Sequence, residues 1–318
     1  MKKTNCILVT GGAGFIGSHL CESLLKAHYK VVCVDNFNTF YDPGIKGRNI
    51  SSIINNKEFS LIKADIRNRE QLAEAFGKCK PELVIHLAAM PGVRPSIENP
   101  FLYYDVNVTG TLTVLETMRS FGVNKMIFAS SSSVYGNNSK VPFSESDPVE
   151  NQISPYASSK RAGELLFFTY HSLSGVDIFC LRFFTVYGPR QRPDLAIHMF
   201  TSKIIEDKPL QIFGDCNTSR DYTFISDAIE GIINSVSRLK GFNIYNIGES
   251  RTISLSTMIE TIENTLGKKA IREFLPKQQG DVERTLADIT KARKELKYNP
   301  AFDFKLGIEE FIKWKLGH

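Results

Sequence analysis

Short apolar runs punctuate the chain at Cys6–Thr10, Val31–Val34, Phe59–Ile62, Leu83–Leu87, Lys125–Ala129 and Ile178–Leu181. Between them apolar residues return every three or four positions, the spacing that places them on one face of a helix. A run that is apolar without alternation suits a strand covered on both sides, and the intervening helices supply the crossovers that parallel strands require. The pattern predicts an α/β fold, a doubly wound parallel sheet with helices on both faces. Ser154–Leu173 reads as a helix, with Ser154 as N-cap and Pro155 in its first turn. Gly188, Pro189 and Pro193 interrupt the pattern around Tyr187–Arg192, which marks a hinge into a smaller α/β lobe. Runs at Asp221–Ile225 and Phe242–Ile247 are expected to return to the first sheet. The border is thus discontinuous: residues 1–186 with 221–247 form the first domain, and 187–318 mainly the second. Two lobes suit a length of 318 residues, because single hydrophobic cores stop growing at about 250 to 300 residues.

Three glycines, Gly11, Gly14 and Gly17, stand between the first apolar run and the helical pattern Phe15–Leu25. Side chains there would keep a diphosphate away from the free N–H groups and positive dipole end of the helix. Alone, such a triplet also closes ordinary strand-to-helix turns. Here, however, the second apolar run ends in Asp35, whose carboxylate can take the hydroxyls of an adenosine ribose and repel a 2′-phosphate. The combination predicts a Rossmann-type domain that binds NAD rather than NADP, since Asn36, Phe37 and Asn38 follow Asp35 with no basic residue directly after it. In an open sheet ligands bind beyond the carboxyl ends of the strands. That rule selects Thr10–Gly17, Asp35 and Asn36, Asp65 and Ile66, Leu87–Arg94, Ser130–Ser133 and Phe183–Arg192.

Composition narrows the partners. A net charge of +5, dispersed along the chain, argues against nucleic acid and suits a phosphorylated small substrate. The six cysteines have neither CxxC spacing nor neighbouring histidines, so neither a metal site nor a disulfide framework is expected. The N-terminal MKKTN leads directly into a strand, and no stretch of about 18 apolar residues occurs, which predicts a cytoplasmic protein without a membrane partner.

Tyr156 and Lys160 lie four apart at the start of the predicted helix and share a face. That spacing is common on solvated helices. Its position matters, because the helix follows the strand that ends in Ser130–Ser133. A hydroxyl there can meet the tyrosine, and a nearby ammonium favours the phenolate, lowering the phenol from about 10 toward the range of a general base. Tyr156, Lys160 and Ser131 are the catalytic candidates.

The pieces TGGAGFIG (Thr10–Gly17), DN (Asp35, Asn36), DI (Asp65, Ile66), HLAA (His86–Ala89), SSSSVYG (Ser130–Gly136), YASSK (Tyr156–Lys160), LRFFTVYGP (Leu181–Pro189) and RDYTFISD (Arg220–Asp227) occur in this order across nearly the whole chain. The chain resembles the extended short-chain dehydrogenase/reductases, specifically the NAD-dependent nucleotide-sugar epimerases. The resemblance implies that Tyr156 removes the proton of a sugar 4-hydroxyl while the C4 hydride passes to NAD. A transient 4-keto sugar then turns over and the hydride returns to its other face. It implies cofactor contacts at Gly11, Gly14, Phe15, Ile16, Gly17, Asp35 and Asn36. Further contacts are implied for Asp65 and Ile66 at the adenine, Leu87, Ala88 and Ala89 beneath the cofactor, Lys160 at the nicotinamide ribose, and Phe183 and Phe184 beside the nicotinamide. A homodimer is also implied, through the helices around Val106–Met118 and Tyr156–Tyr170.

FYDPGIK (Phe40–Lys46), PGVRPSIENP (Pro91–Pro100), GPRQRPDLA (Gly188–Ala196) and QGDVERTLAD (Gln279–Asp288) are most similar to the UDP-glucuronate 4-epimerases within this family. Their substrate carries a C6 carboxylate. By this resemblance Arg192 and Thr185 bind the carboxylate with Ser131, Ser132 and Ser133, Arg94 is a second candidate, Arg220 meets the diphosphate and Asp281 the uridine ribose. Pro91, Gln191 and Glu283 depart from the glucuronate pattern. Thr285, small where galactose-type epimerases carry a tyrosine, leaves room for an N-acetyl group. UDP-glucose and UDP-N-acetylglucosamine are therefore the alternative substrates. A UDP-glucuronate decarboxylase, which carries a glutamate at the position of Ser133, and a non-catalytic NAD-binding regulator are the remaining alternatives.

Overall fold

A computed structural model describes residues 5–214, 216–276 and 282–317. The chain lays down β1 (Cys6–Thr10), β2 (Lys30–Asp35), β3 (Phe59–Lys63), β4 (Leu83–His86), β5 (Lys125–Ser131) and β6 (Asp177–Phe183). The short β7 (Thr185–Tyr187), β8 (Leu210–Phe213), β9 (Ser219–Arg220) and β10 (Tyr222–Phe224) come next. They precede β11 (Phe242–Ile247), β12 (Ile253–Ser254) and β13 (Arg272–Leu275). The first seven helices are α1 (Phe15–Lys26), α2 (Pro43–Asn49), α3 (Arg69–Cys79), α4 (Val93–Glu98), α5 (Pro100–Tyr104), α6 (Thr111–Ser120) and α7 (Pro155–Ser174). The later ones are α8 (Ala196–Ile205), α9 (Ile225–Val236), α10 (Leu255–Leu266), α11 (Thr290–Leu296) and α12 (Phe304–Leu316).

Seven strands form one parallel sheet in the order β11-β6-β5-β4-β1-β2-β3. Successive side chains of a strand point to opposite faces. Accordingly Ile7, Val9, Val31 and Cys33 join a core on the α1 and α9 side, while Leu8, Val32 and Val34 join a second core with Leu72 of α3 and Val114 of α6. From β1 the chain winds outward to β2 and β3, then crosses back to β4, β5 and β6 on the other side. The strand order therefore reverses between β1 and β4, which opens a crevice at their carboxyl ends. Thr10 is level with Val34 on one side and His86 on the other, so the residues just beyond them converge there.

The α7 boundaries follow their capping chemistry: the Ala157 N–H donates to Ser154 Oγ at 3.1 Å, Pro155 opens the first turn and Gly175 closes the helix in the left-handed region. Phe242–Ile247 joins the main sheet beside β6, as expected. Tyr222–Phe224 does not. It pairs with β7 in a separate two-stranded parallel sheet, with Tyr222 opposite Thr185, because the chain has already turned away from the main sheet after β6. The helix expected over Val106–Met118 starts as a π-helical segment, Asp105–Gly110, before α6.

Candidate active site

A cavity of 460 Å³ occupies the crevice and extends toward the smaller lobe. On its cofactor side the backbone makes the shape. Gly11 has φ +70°, and a Cβ there would lie 2.8 Å from the Ala88 backbone nitrogen. A Cβ on Gly17 would lie 2.2 Å from the Gly11 carbonyl oxygen, so only glycine lets α1 pack this close to the loop. Gly14 is the N-cap of α1 and offers no side chain to the first-turn N–H groups. Gly11, Gly14, Phe15, Ile16 and Gly17 all line the cavity.

Asp35 stands at the end of β2, 5% exposed, where its carboxylate accepts the Phe37 N–H at 2.8 Å and the Ala13 N–H at 3.3 Å. Asn36, Ile66, Leu87, Ala88, Ala89, Phe183 and Phe184 line the same wall. Asp65 is placed differently. Its carboxylate takes Arg67 in a two-point pair and Asn36 Nδ2 at 3.0 Å, which holds it well below the usual carboxylate range, and it is its neighbours Ala64 and Ile66 that line the cavity.

Where β5 ends and α7 begins, Tyr156, Lys160, Ser131, Ser132 and Ser133 line the middle of the cavity. Ser131 Oγ accepts the Ser133 hydroxyl at 2.8 Å. Ser130 also lines the cavity, and its hydroxyl donates to Glu164 at 2.6 Å, in a buried cluster where Glu164 also takes Arg182 at 2.8 Å through both oxygens. Burial pushes the Tyr156 phenol up from its ordinary value, and Ser131 and Arg192 pull it back. Burial also lowers Lys160, to about 7, against the Glu164 carboxylate one turn along the helix. The Lys160 ammonium donates to the Ala129 carbonyl at 2.8 Å and lies 6.0 Å from the centre of the Tyr156 ring. The charged group that favours the Tyr156 phenolate is Arg192, not Lys160 as the sequence suggested. Tyr103 packs edge-on against Tyr156 at 6.3 Å and anchors its own hydroxyl on the Pro91 carbonyl.

Thr185, Arg192 and Arg220 line the smaller-lobe side of the cavity. The Arg192 guanidinium pairs with Asp194 at 2.9 and 2.8 Å and stands over the Phe40 ring at 5.8 Å. Arg94 is not among the cavity-lining residues; its guanidinium stacks on Phe213 at 5.0 Å. Asp281 lies outside the described residues.

Sequence reasoning missed three features. Lys46, 6% exposed, donates to Asp35 at 3.2 Å and lines the cavity beside it. Its signal lay in Asp42 and Pro43, an N-cap and first-turn proline that start α2 and fold the lysine back onto β2. Phe40 and Tyr41, from the same segment, also line the cavity. Finally, the hinge loop is tied to α1, by His19 to the Pro189 carbonyl at 2.9 Å and by Glu22 to Arg190 at 2.7 Å.

Comparison with known proteins places this geometry. A UDP-glucuronate 4-epimerase of Thermodesulfobacterium geofontis is 44% identical over 308 residues, spanning 96% of this chain and 95% of that protein. The crystal structure of UDP-glucuronic acid 4-epimerase from Bacillus cereus, in complex with UDP-glucuronic acid and NAD, matches with a TM-score of 0.93 at 39% identity, covering 98% of this chain and 100% of that one. A Thermus thermophilus UDP-glucose 4-epimerase in complex with NAD matches with a TM-score of 0.90 at 31% identity, covering 98% and 99%. With the family model described as GDP-mannose 4,6 dehydratase matching residues 8–311, the chain belongs to that family of extended short-chain dehydrogenase/reductases.

Proposed function

We propose that the protein is an NAD-dependent UDP-sugar 4-epimerase, an isomerase, acting on UDP-glucuronate and UDP-galacturonate. The observation that carries this reading is the convergence of Tyr156, Ser131 and Arg192 on one cavity beside a glycine cradle. The cradle, the uncapped start of α1 and the Asp35 carboxylate fit a dinucleotide: the diphosphate against α1 and the adenosine ribose on Asp35. Bound NAD would supply a hydride acceptor that later returns the hydride, so the net reaction is redox-neutral.

The chain's own part is proton handling and orientation. Tyr156 takes the O4 proton as the alcohol becomes a 4-keto group and gives it back on the return, with Ser131 sharing the hydrogen bond. Lys160, 6.0 Å from the ring centre, supplies positive charge near the phenolate in its protonated form. Arg192 and Thr185 take the C6 carboxylate, with Ser132 and Ser133 beside it, and Arg220 takes the diphosphate. Arg94 and Asp65 stay outside this scheme as the geometry draws it, and Asp281 lies outside the described residues. Thr285 lines the cavity and favours UDP-N-acetylglucosamine as the second reading.

The test is incubation of the purified protein with UDP-glucuronate, UDP-glucose and UDP-N-acetylglucosamine, followed by separation of the C4 epimers. UDP-glucuronate is expected to turn over fastest. Tyr156→Phe is expected to retain NAD and lose about 10²- to 10⁴-fold in rate, the usual worth of a general base. Turnover of UDP-glucose alone would remove the carboxylate assignment.

The reading extends to the surroundings of the site. The domain that holds NAD is read as 1–186 with 221–247, of which Phe242–Ile247 joins the main sheet while Tyr222–Phe224 pairs with β7 instead, and the remainder is read as binding the UDP-sugar. Leu165 and Phe168, exposed apolar residues within Tyr156–Tyr170, one of the two helices expected at a dimer interface, support a homodimer. Among the described residues no helix is long and apolar enough to cross a membrane. A cytoplasmic location without a nucleic-acid partner accords with the mild, dispersed charge.

A further inference from the structure

Arg192 already holds a carboxylate of its own. Nε and Nη2 donate to the two oxygens of Asp194 at 2.9 and 2.8 Å, a two-point pair along the side edge of the guanidinium. A guanidinium has a second flat edge, Nη1 with Nη2, which Asp194 leaves open. Arg192 lines the cavity and Asp194 does not. We propose that Asp194 is a positioning residue for specificity: it fixes the guanidinium plane so that the end edge is offered to the C6 carboxylate of the substrate. This inference rests on the uronate reading given under Proposed function.

The loop is built to make such a pair stiff. Pro193 stands between the two partners, and the Leu195 N–H donates to the Arg192 carbonyl at 3.2 Å to close the turn. The turn before it closes from the Gln191 N–H to the Gly188 carbonyl at 3.1 Å, and His198 bonds the Gln191 carbonyl at 2.6 Å. Phe40 covers one face of the guanidinium. An arginine on a free stem loses much rotamer freedom when it grips a ligand; one already locked by Asp194 loses little. The opposing effect is that Asp194 cancels part of the charge that attracts the substrate. Its side chain is 37% exposed, so water screens that cancellation, whereas orientation is not screened. Orientation therefore wins, and its benefit falls on a carboxylate, not on the neutral hydroxymethyl group of a hexose.

The experiment compares wild type with Asp194→Asn and Asp194→Glu as full-length, NAD-loaded proteins. For Asp194→Asn, KM for UDP-glucuronate is expected to rise about tenfold with kcat little moved, since loss of a preorganised contact appears in binding. The KM for UDP-glucose is expected to change far less, and Asp194→Glu, which can remake the two-point pair, to recover part of the loss. Calorimetric titration of UDP-glucuronate into the same variants on a Tyr156→Phe background reads the effect without turnover. A wild type that binds UDP-glucuronate but does not epimerise it would defeat the functional reading while leaving the affinity ratio of the Asp194 variants to decide the positioning role. An unchanged or lower KM or Kd in Asp194→Asn would overturn the proposal, as would an equal loss for UDP-glucose or no recovery in Asp194→Glu.

Discussion

The two halves of the cavity are made of different material. On the cofactor side, backbone does the shaping: a positive-φ glycine, a helix pressed against a loop and one carboxylate at a strand end. On the side proposed to take the sugar the lining comes from side chains of segments far apart in sequence, Phe40 and Tyr41, Thr185, Arg192 and Arg220. The contrast shows how one framework divides its tasks. The half that must hold the same dinucleotide in every turnover is fixed by covalent geometry, and the half that chooses a substrate is left to replaceable side chains.

That contrast predicts unequal damage. Gly17→Ala is expected to do most: the added Cβ would meet the Gly11 carbonyl at 2.2 Å, so α1 must shift away from the loop. Overpacking of this kind costs about 1–3 kcal/mol, and because the backbone itself is displaced, bound NAD and turnover of every sugar should fall together. Retention of NAD at the wild-type level, measured by absorbance after denaturation, would break the claim that backbone shapes this half. Arg192→Ala should follow, with a loss of about 10²-fold in kcat/KM for UDP-glucuronate, the scale of a charged hydrogen-bonding pair, and a much smaller loss for UDP-glucose. Equal losses on the two sugars would place Arg192 in the framework instead.

The smallest effect concerns the tie between the halves. Burial lowers His19 to about 4, below its ordinary 6.5. The unfolded chain thus binds more protons here than the folded one between these values, so this histidine's contribution is fully present above about 6.5 and is lost as pH falls toward 4. His19→Gln should flatten that part of the acid stability curve in chemical denaturation. A slope identical to wild type would show that the His19 environment is not coupled to folding.

Much of the cofactor side was legible because its signals are local. Uninterrupted apolar runs such as Val31–Val34 name central strands, and Gly11, Gly14 and Gly17 stand a few residues from the strand they follow. The sugar side depends on how distant segments fold back, which no local pattern encodes. Tyr222–Phe224 reads as a strand whatever its partner, so its pairing with β7 rather than with the main sheet was invisible. Arg94 and Asp65 sit in stretches that do reach the crevice. Their side chains turn to Phe213 and Arg67, while Gly92, Val93 and Ile66 face the cavity. Lys46 escaped notice because it lies eleven positions beyond Asp35, a gap closed by the capped turn of α2.

The ties from His19 and Glu22 to the hinge loop have a consequence for modularity. Residues 188–195 look like a cassette that could be exchanged between enzymes to trade one sugar preference for another. In this chain the cassette is bolted to α1, so a transplanted loop would arrive without its seat. A swap that carries residues 19 and 22 along with the loop should transfer the preference where the loop alone does not.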